Sequence, residues 1–226
     1  MMIDTQQPDS KTANRKAGRP RRLTLDMVLD AANDMGLENL SMKKLAADLG
    51  VGIATIYRYV ADRDELIRLA LTRRSSRPFI VTSDMSWGDV VREYAASLYS
   101  VISQDSYTLN TYMDGGYGVA MELEFVDMLI AALVERGFEA EEAGQLCRLV
   151  GHQVGGAALA HIHHMALHAA GTTREAKFAD TISDYDAEAL PYARAAAHGL
   201  FDEASVSNWK PGLDLIISGL AAQRKA

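Results

Sequence analysis

Apolar residues recur at helical spacing in the N-terminal part of the chain, and capping residues and glycines divide them into short segments. The first apolar face begins after Thr24, which can cap a helix, and ends before Gly36. Its members are Leu25, Val28, Leu29, Ala32 and Met35. The pattern predicts a first helix with one buried face.

A pair of short helices is predicted after Ser41, joined by a tight turn at Gly50. The inward positions of the first are Met42, Leu45, Ala46 and Leu49. The second covers about residues 52–60, where Ile53 and Ile56 are predicted to point inward. Hydroxyl, tyrosine and arginine side chains occupy its other positions. This layout is typical of a helix-turn-helix whose second helix enters the DNA major groove.

The remaining pattern is also helical. Helices are predicted over residues 63–74, 87–102, 107–113, 119–136, 139–170, 186–199 and 207–222, whereas 172–185 is predicted to be a loop with one helical turn at most. The fold class is therefore all-α, with an N-terminal three-helix head and a C-terminal helical bundle.

The long helix predicted over residues 139–170 holds several glycines, each of which lowers helix stability by about 1 kcal/mol relative to alanine. That loss predicts either close helix approach at a two-fold interface or a cavity beside the helix.

Composition and charge narrow the class of protein. The chain has 226 residues, 48% of them hydrophobic, and contains no apolar run of the roughly 20 residues that a membrane span needs. Its single cysteine, Cys147, cannot form an internal disulfide. We therefore expect a cytoplasmic protein without membrane association.

Residues 1–77 carry 14 Lys and Arg against 10 Asp and Glu, whereas the rest carry 9 against 20. A basic front and an acidic back predict that only the front meets a polyanion.

A basic arm precedes the first helix. Six Lys or Arg and no acid lie between Ser10 and Leu25, and Gly18 and Pro20 break any helix there. Arg19, Arg21 and Arg22 are expected to contact DNA, as flexible arginine-rich arms do.

The predicted second helix of the pair carries side chains suited to DNA. Arg58 can pair with guanine, and Thr55 offers a hydroxyl and a methyl group to base edges. Tyr57 and Tyr59 can donate to phosphates. Arg63 lies at the start of the next helix, where it can help to hold a phosphate. Besides the arm, the complete set of predicted contacts is Ser41, Lys44, Gly52, Thr55, Tyr57, Arg58, Tyr59 and Arg63.

The segment LTLDMVLDAANDMGLENLSMKKLAADLGVGIATIYRYVADRDEL, residues 23–66, resembles the DNA-binding domain of the TetR family of one-component regulators. The resemblance implies a basic arm over 1–22, a DNA-binding domain over 23–69 and a ligand-binding and dimerisation domain over 70–226. It further implies a homodimer on a near-palindromic operator, released by a partly apolar small molecule, with no cofactor. A ligand-dependent activator of the same fold is the alternative.

The resemblance places the effector pocket among the middle helices of the C-terminal domain. The candidate lining residues are Trp87, Tyr94, Tyr107, Tyr112, Met113, Met121, Phe125 and His152. Methionine and aromatic side chains with scattered polar tips suit an adaptable apolar pocket.

Histidines raise a separate hypothesis. His161, His164 and His168 fall within about 60° on one face of the long helix, a spacing that suggests a metal-dependent helical enzyme or a pH-sensitive seam as hypotheses. The face carries no carboxylate or thiolate, and the chain has no HExxH or nucleophile-elbow pattern. We therefore predict no metal site and interpret these histidines as polar residues at a dimer seam or pocket wall.

A non-specific architectural DNA protein is the third hypothesis for the function of the chain. The acidic C-terminal part disfavours it.

Overall fold

The computed structural model describes residues 23–74, 79–114, 119–201 and 208–224, with 119–122 and 201 described in backbone only. These ranges contain eleven α-helices and no strand, which confirms the all-α prediction. The helices are α1 Leu25–Met35, α2 Met42–Asp48, α3 Ile53–Ile56, α4 Arg63–Arg74, α5 Trp87–Ile102, α6 Ser106–Met113, α7 Val119–Val134, α8 Ala140–Ala169, α9 Arg174–Ser183, α10 Pro191–Phe201 and α11 Lys210–Gln223. A 3₁₀ turn, Leu37–Asn39, joins α1 to α2.

Two separate hydrophobic cores lie on either side of the end of α4. The head core is built by α1 to α4 around side chains such as Val28, Leu45 and Leu66, which have no exposed surface. The second core belongs to the body and is built mainly by α5, α7, α8 and α11. Burial of apolar side chains stabilises each unit, because most of the stability of helices in proteins comes from packing of their apolar faces rather than from propensity.

The helix ends follow the capping residues in the sequence. The Thr24 hydroxyl accepts a hydrogen bond from the Met27 amide at 3.3 Å, and Gly36 adopts a φ of 81° at the end of α1. At the start of α4, Asp62 accepts from the Glu65 amide at 2.7 Å, while the Glu65 carboxylate accepts from the Ala61 amide. These contacts confirm the predicted starts of α1 and α4.

An arginine joins the head to the body. At the end of α4, the Arg74 guanidinium donates to Gln104 Oε1 at 2.6 Å and to Asp105 Oδ2 at 2.7 Å. Asp105 also caps α6 by accepting from the Thr108 amide at 2.7 Å. Partial burial acts to raise the pKa of the Asp105 carboxyl, but the hydrogen bonds from Thr108 and Arg74 outweigh it and lower that pKa. We call this contact the Arg74–Asp105 latch.

The structure corrects several predicted boundaries. Residues 174–183, predicted to be mostly loop, form α9, and the Thr173 hydroxyl caps that helix by accepting from the Ala176 amide at 2.9 Å. Helix α10 begins at Pro191 rather than at residue 186, because proline suits the first turn of a helix. Helix α3 is only 4 residues long, and residues 57–59 continue it as turns. Among the described helices, each falls short of the length or the apolar character needed to cross a membrane.

Candidate nucleic-acid interface and ligand pocket

The surface formed by α3 and the following turn presents polar side chains to solvent. Tyr57 is 49% exposed, and Arg58 is also exposed. Gly52 precedes α3 and is exposed, which leaves its backbone open to close approach, and Thr55 is half-buried. The α3 surface therefore combines a guanidinium, a phenol and a hydroxyl on a protruding element.

The turn between α2 and α3 fixes the direction of that surface. Gly50 has a φ of 64°, a conformation that side chains rarely adopt, and the Val51 amide donates to the Ala46 carbonyl at 2.9 Å. Ile56 is fully buried beneath the turn, as predicted. The prediction that Ile53 points inward is wrong, because this side chain is 43% exposed at the start of α3.

Two predicted DNA contacts are directed into the head. The Tyr59 hydroxyl donates to the Leu23 carbonyl at 2.6 Å, and its half-buried ring packs against the head core. The hydroxyl that was predicted to donate to a phosphate is therefore engaged within the head. Arg63 donates from Nε to the Leu40 carbonyl at 3.1 Å, so its guanidinium ties α4 to the segment before α2 instead of standing free for a phosphate. Neither carbonyl partner is close in sequence, so local patterns gave no signal for these contacts.

Helix α2 adds two further polar side chains. Ser41 occupies the position that caps α2, but its side chain makes no capping hydrogen bond, and Lys44 is exposed one turn later. Both groups are therefore accessible near the start of α2. The arm residues Arg19, Arg21 and Arg22 lie outside the described residues.

The body contains a pocket of about 360 Å³ between α5, α6, α7 and α8, open to solvent on one side. This volume lies in the range typical of small-molecule sites. Its lining residues are Tyr94, Tyr112, Met113, Phe125, Val126, Gly144, Cys147, Arg148, Gly151 and His152.

Aromatic side chains form one wall of the pocket. The Tyr94 and Phe125 rings stack with centroids 5.1 Å apart and an interplanar angle of 28°. The Tyr94 hydroxyl lies 3.4 Å from Cys147 Sγ, and Tyr94 is only 2% exposed. A fixed flat surface of this kind favours packing against a planar apolar group.

Tyr112 connects the pocket to the head. Its side chain packs against both the body core and the head core while it lines the pocket. A Cβ added at Gly151 would lie 2.8 Å from the Tyr112 hydroxyl, so this glycine leaves room for the phenol. Part of the glycine content of α8 thus creates pocket space, one of the two roles predicted for it.

The structure brings five of the eight predicted lining residues together. Tyr94, Tyr112, Met113, Phe125 and His152 share the pocket.

Two of the others lie elsewhere, which corrects their prediction as lining residues. Trp87 packs edge-on against Phe138, with ring centroids 5.3 Å apart, and Tyr107 packs against the head core. The Met121 side chain lies outside those described. Arg148 and Cys147 were not predicted as lining residues, and they reach the pocket because they follow Gly144 by about one turn of the same helix.

Among the described residues, the histidines of α8 do not come together with other metal-ligating side chains. The rings of His164 and His168 lie 4.4 Å apart at a T-shaped angle, one turn from each other. Within the described ranges, the side chains include no group of three or more His, Cys, Asp or Glu that could hold a metal.

Helices α8 and α11 each carry exposed apolar side chains. Leu149 is 50%, Leu159 46% and Leu215 75% exposed. Gly156 and Gly219 have open space where a Cβ would lie. We call this set, Leu149, Gly156, Leu159, Leu215 and Gly219, the α8/α11 face.

Comparison with solved structures shows that other proteins have this fold. ActR from Streptomyces coelicolor, solved in complex with actinorhodin, aligns with a TM-score of 0.62 and 24% identity, covering 89% of this chain and 98% of ActR. A single-residue variant of TetR from Acinetobacter baumannii AYE, solved in complex with minocycline, aligns with a TM-score of 0.62 and 18% identity, covering 91% of this chain and 96% of that one.

Two curated relatives match over shorter segments. The HTH-type transcriptional repressor DrrR1 of Streptomyces coeruleorubidus is 45% identical over 67 residues, or 27% of this chain and 25% of DrrR1. The HTH-type transcriptional repressor Rv1353c of Mycobacterium tuberculosis is 32% identical over 76 residues, or 31% of this chain and 28% of Rv1353c. The chain thus aligns with about a quarter of the length of these relatives.

A family model accounts for most of the body. Residues 82–224, more than half of the chain, match the model described as Tetracyclin repressor-like, C-terminal domain. This match and the helix-turn-helix head lead to the same assignment: the chain belongs to the TetR family.

Proposed function

We propose that this protein is a homodimeric, sequence-specific transcriptional repressor that a small-molecule ligand releases from a near-palindromic operator. The observation that carries the proposal is the linkage of three parts in one chain. An exposed polar surface on α3 is followed by α4, and α4 meets α6, whose end lines the pocket. DrrR1 and Rv1353c, both repressors by name, support a regulator rather than an enzyme.

The head contacts DNA through α3 and the start of α2. Arg58 reads a guanine edge, and Thr55 approaches a neighbouring base, because both lie on the protruding α3 surface. Tyr57 and Lys44 bind phosphates and fix the position of the head on the duplex. Ser41 adds a hydroxyl near the N-terminus of α2, where the helix dipole favours an anion. The N-terminal arginines Arg19, Arg21 and Arg22 extend this contact into the minor groove.

A second copy of the chain pairs through the α8/α11 face. This face combines exposed leucines with glycines that have open space where a Cβ would lie. Two helices can therefore approach closely across a two-fold axis. Dimerisation holds two heads at fixed spacing, so the operator has two half-sites related by near-palindromic symmetry.

A ligand acts from the pocket on the position of the head. ActR and the Acinetobacter baumannii protein were solved with actinorhodin and minocycline, which supports a role in small-molecule binding for the corresponding body of this chain. A ligand that moves α6 changes its contacts with the head at both Tyr112 and Asp105. Repression ends when ligand binds better to the state in which the heads no longer match the operator.

Selection of bound sequences from random duplex DNA tests this function first, at roughly 150 mM salt, where non-specific binding is weakened. We expect enrichment of one near-palindrome. Recovery of all sequences alike, without enrichment, would indicate an architectural DNA protein instead. A ligand that raises affinity for the selected DNA would identify a ligand-dependent activator.

Three variants then test the docking geometry on the selected operator. We expect Tyr57→Phe and Lys44→Ala to weaken binding to all sequences, and Arg58→Ala to relax the preference at one base position by about 1–3 kcal/mol. Tyr192→Phe is the matched control, because this tyrosine is 87% exposed on α10, away from the head. The docking geometry is wrong if the three head variants behave like the control.

A further inference from the structure

Arg148 lies on α8 at the rim of the pocket, and its side chain is exposed. The other arginines of the body bind protein groups: Arg92 pairs with Asp214 at 3.0 Å, and Arg224 pairs with Glu142 at 2.7 Å. Among the arginines that the structure describes, only Arg58 and Arg148 make neither a hydrogen bond nor an ion pair. Arg58 is on the proposed DNA surface, so Arg148 is the unpaired guanidinium of the described body.

Within the described part of the chain, no acid neighbours Arg148 one turn away on α8 or among the pocket residues. The residues one turn away on α8 are Gly144, Gln145, Gly151 and His152, and none of them is an acid. The residues that line the pocket likewise include no Asp or Glu within the described part of the chain. An anion in the pocket would therefore meet a guanidinium without competition from a neighbouring carboxylate.

The rest of the pocket favours a flat apolar group. Phe125 stacks on Tyr94, and Met113 and Val126 add apolar surface. Two or three fused rings suit a pocket of about 360 Å³. The Tyr112 hydroxyl supplies a polar group on the α6 side of the pocket.

We propose that the effector is an aromatic carboxylate, with its carboxylate bound to Arg148 and its rings packed against Phe125 and Tyr112. This inference rests on the proposed function, because it specifies the chemical class of the ligand that the repressor binds. A guanidinium pairs with a carboxylate through two parallel hydrogen bonds, which a neutral amide of the same shape cannot reproduce. Arg148 is thus the residue that selects for charge, while the aromatic wall provides apolar contact.

Isothermal titration with matched probes tests the charge selectivity of the full-length protein. The probes are anthraquinone-2-carboxylate with anthraquinone-2-carboxamide, and 2-naphthoate with 2-naphthamide. We expect wild type to bind at least one carboxylate about tenfold more tightly than its amide, and Arg148→Gln to lose that preference while it keeps its affinity for the amide. Lys177→Gln is the control, because it removes one exposed positive charge on α9 and should leave both affinities unchanged.

Several outcomes would overturn the inference. These are tighter binding of the amides, a carboxylate preference that survives in Arg148→Gln, or binding of none of the four probes. A weaker dimer in Arg148→Gln with unchanged selectivity would show instead that the guanidinium pairs with a second copy of the chain.

Operator release, measured with the same probes, separates this inference from the proposed function. Release by the neutral probes in preference to the acids would keep the repressor but exclude the Arg148 contact. Selective binding of a carboxylate without release of DNA would keep the Arg148 contact but contradict ligand-released repression.

Discussion

Replacing Arg74 with Gln should destabilise the protein by breaking the Arg74–Asp105 latch. The guanidinium donates to Gln104, Asp105 and Thr108 at 2.6, 2.7 and 3.4 Å, and its side chain is 19% exposed. A hydrogen bond to a charged group contributes about 1.5–3 kcal/mol when buried, whereas exposed ion pairs contribute about 0–1 kcal/mol. Because Asp105 is 41% exposed, solvent screening reduces the first figure, and we expect a loss of about 1–2 kcal/mol at neutral pH.

The dependence of this loss on pH identifies the carboxylate. The pKa of Asp105 is lowered in the folded protein, so its ionised form contributes stability above the pKa of an unfolded Asp. That contribution disappears as pH falls through the lowered pKa. The difference in free energy of unfolding between wild type and Arg74→Gln should therefore be constant near neutral pH and shrink in acid below the usual range for Asp.

Urea denaturation followed by circular dichroism at one fixed protein concentration measures the difference, because the stability of the proposed dimer would depend on concentration. Arg73→Gln is the matched control, since Arg73 pairs with Asp26 and Asp30 within the head, at an exposed site on the same turn of α4. A smaller loss is expected there. An unchanged urea midpoint in Arg74→Gln, or a deficit that persists unchanged in acid, would refute this role of the latch.

Three further changes test other contacts. Tyr59→Phe should lower the free energy of unfolding by about 1 kcal/mol by removing the hydrogen bond to the Leu23 carbonyl, and unchanged denaturation would contradict the inward direction of this tyrosine. Gly151→Ala places a Cβ against the Tyr112 hydroxyl, so titration with the ring probes should show weaker binding, and unchanged affinity would mean that this hydroxyl is not part of the binding surface. Leu215→Glu should convert a dimer into a monomer in sedimentation experiments, because it puts a charge on the α8/α11 face, and a stable dimer in this variant would rule out that face.

The head was predictable from the sequence because its signals are local. The capping hydroxyl of Thr24, the pair Asp62 and Glu65, and the helix-ending Gly36 each act within one turn, and all three contacts are present. Apolar spacing likewise predicted the buried position of Ile56. Ile53 was mispredicted because α3 is so short that its first residue lies at the edge of the core.

Contacts between distant segments could not be predicted in the same way. Tyr59 and Arg63 are polar residues beside a DNA-binding helix, and only the fold shows that carbonyl groups 36 and 23 residues away accept their hydrogen bonds. Helix α9 was missed for a different reason. It buries none of its residues fully, and its half-buried apolar residues are limited to Phe178 and Ile182, one turn apart. The apolar signal was therefore short, and the Thr173 cap was the other local signal.

The latch alone is too weak to account for complete release of DNA. Shifting a two-state equilibrium from 1:99 to 99:1 requires about 5.5 kcal/mol of differential binding, whereas the latch contributes about 1–2 kcal/mol. Tyr107 and Tyr112 also connect α6 to the head, because both rings pack against the head core. Complete burial of a large apolar side chain contributes about 1.5–3 kcal/mol, so each of these partly buried rings contributes less than that, and together with the latch they bring the total towards the required range. Movement of α6 as one unit would alter all three contacts, and Arg74→Gln should therefore reduce the response to ligand without abolishing it.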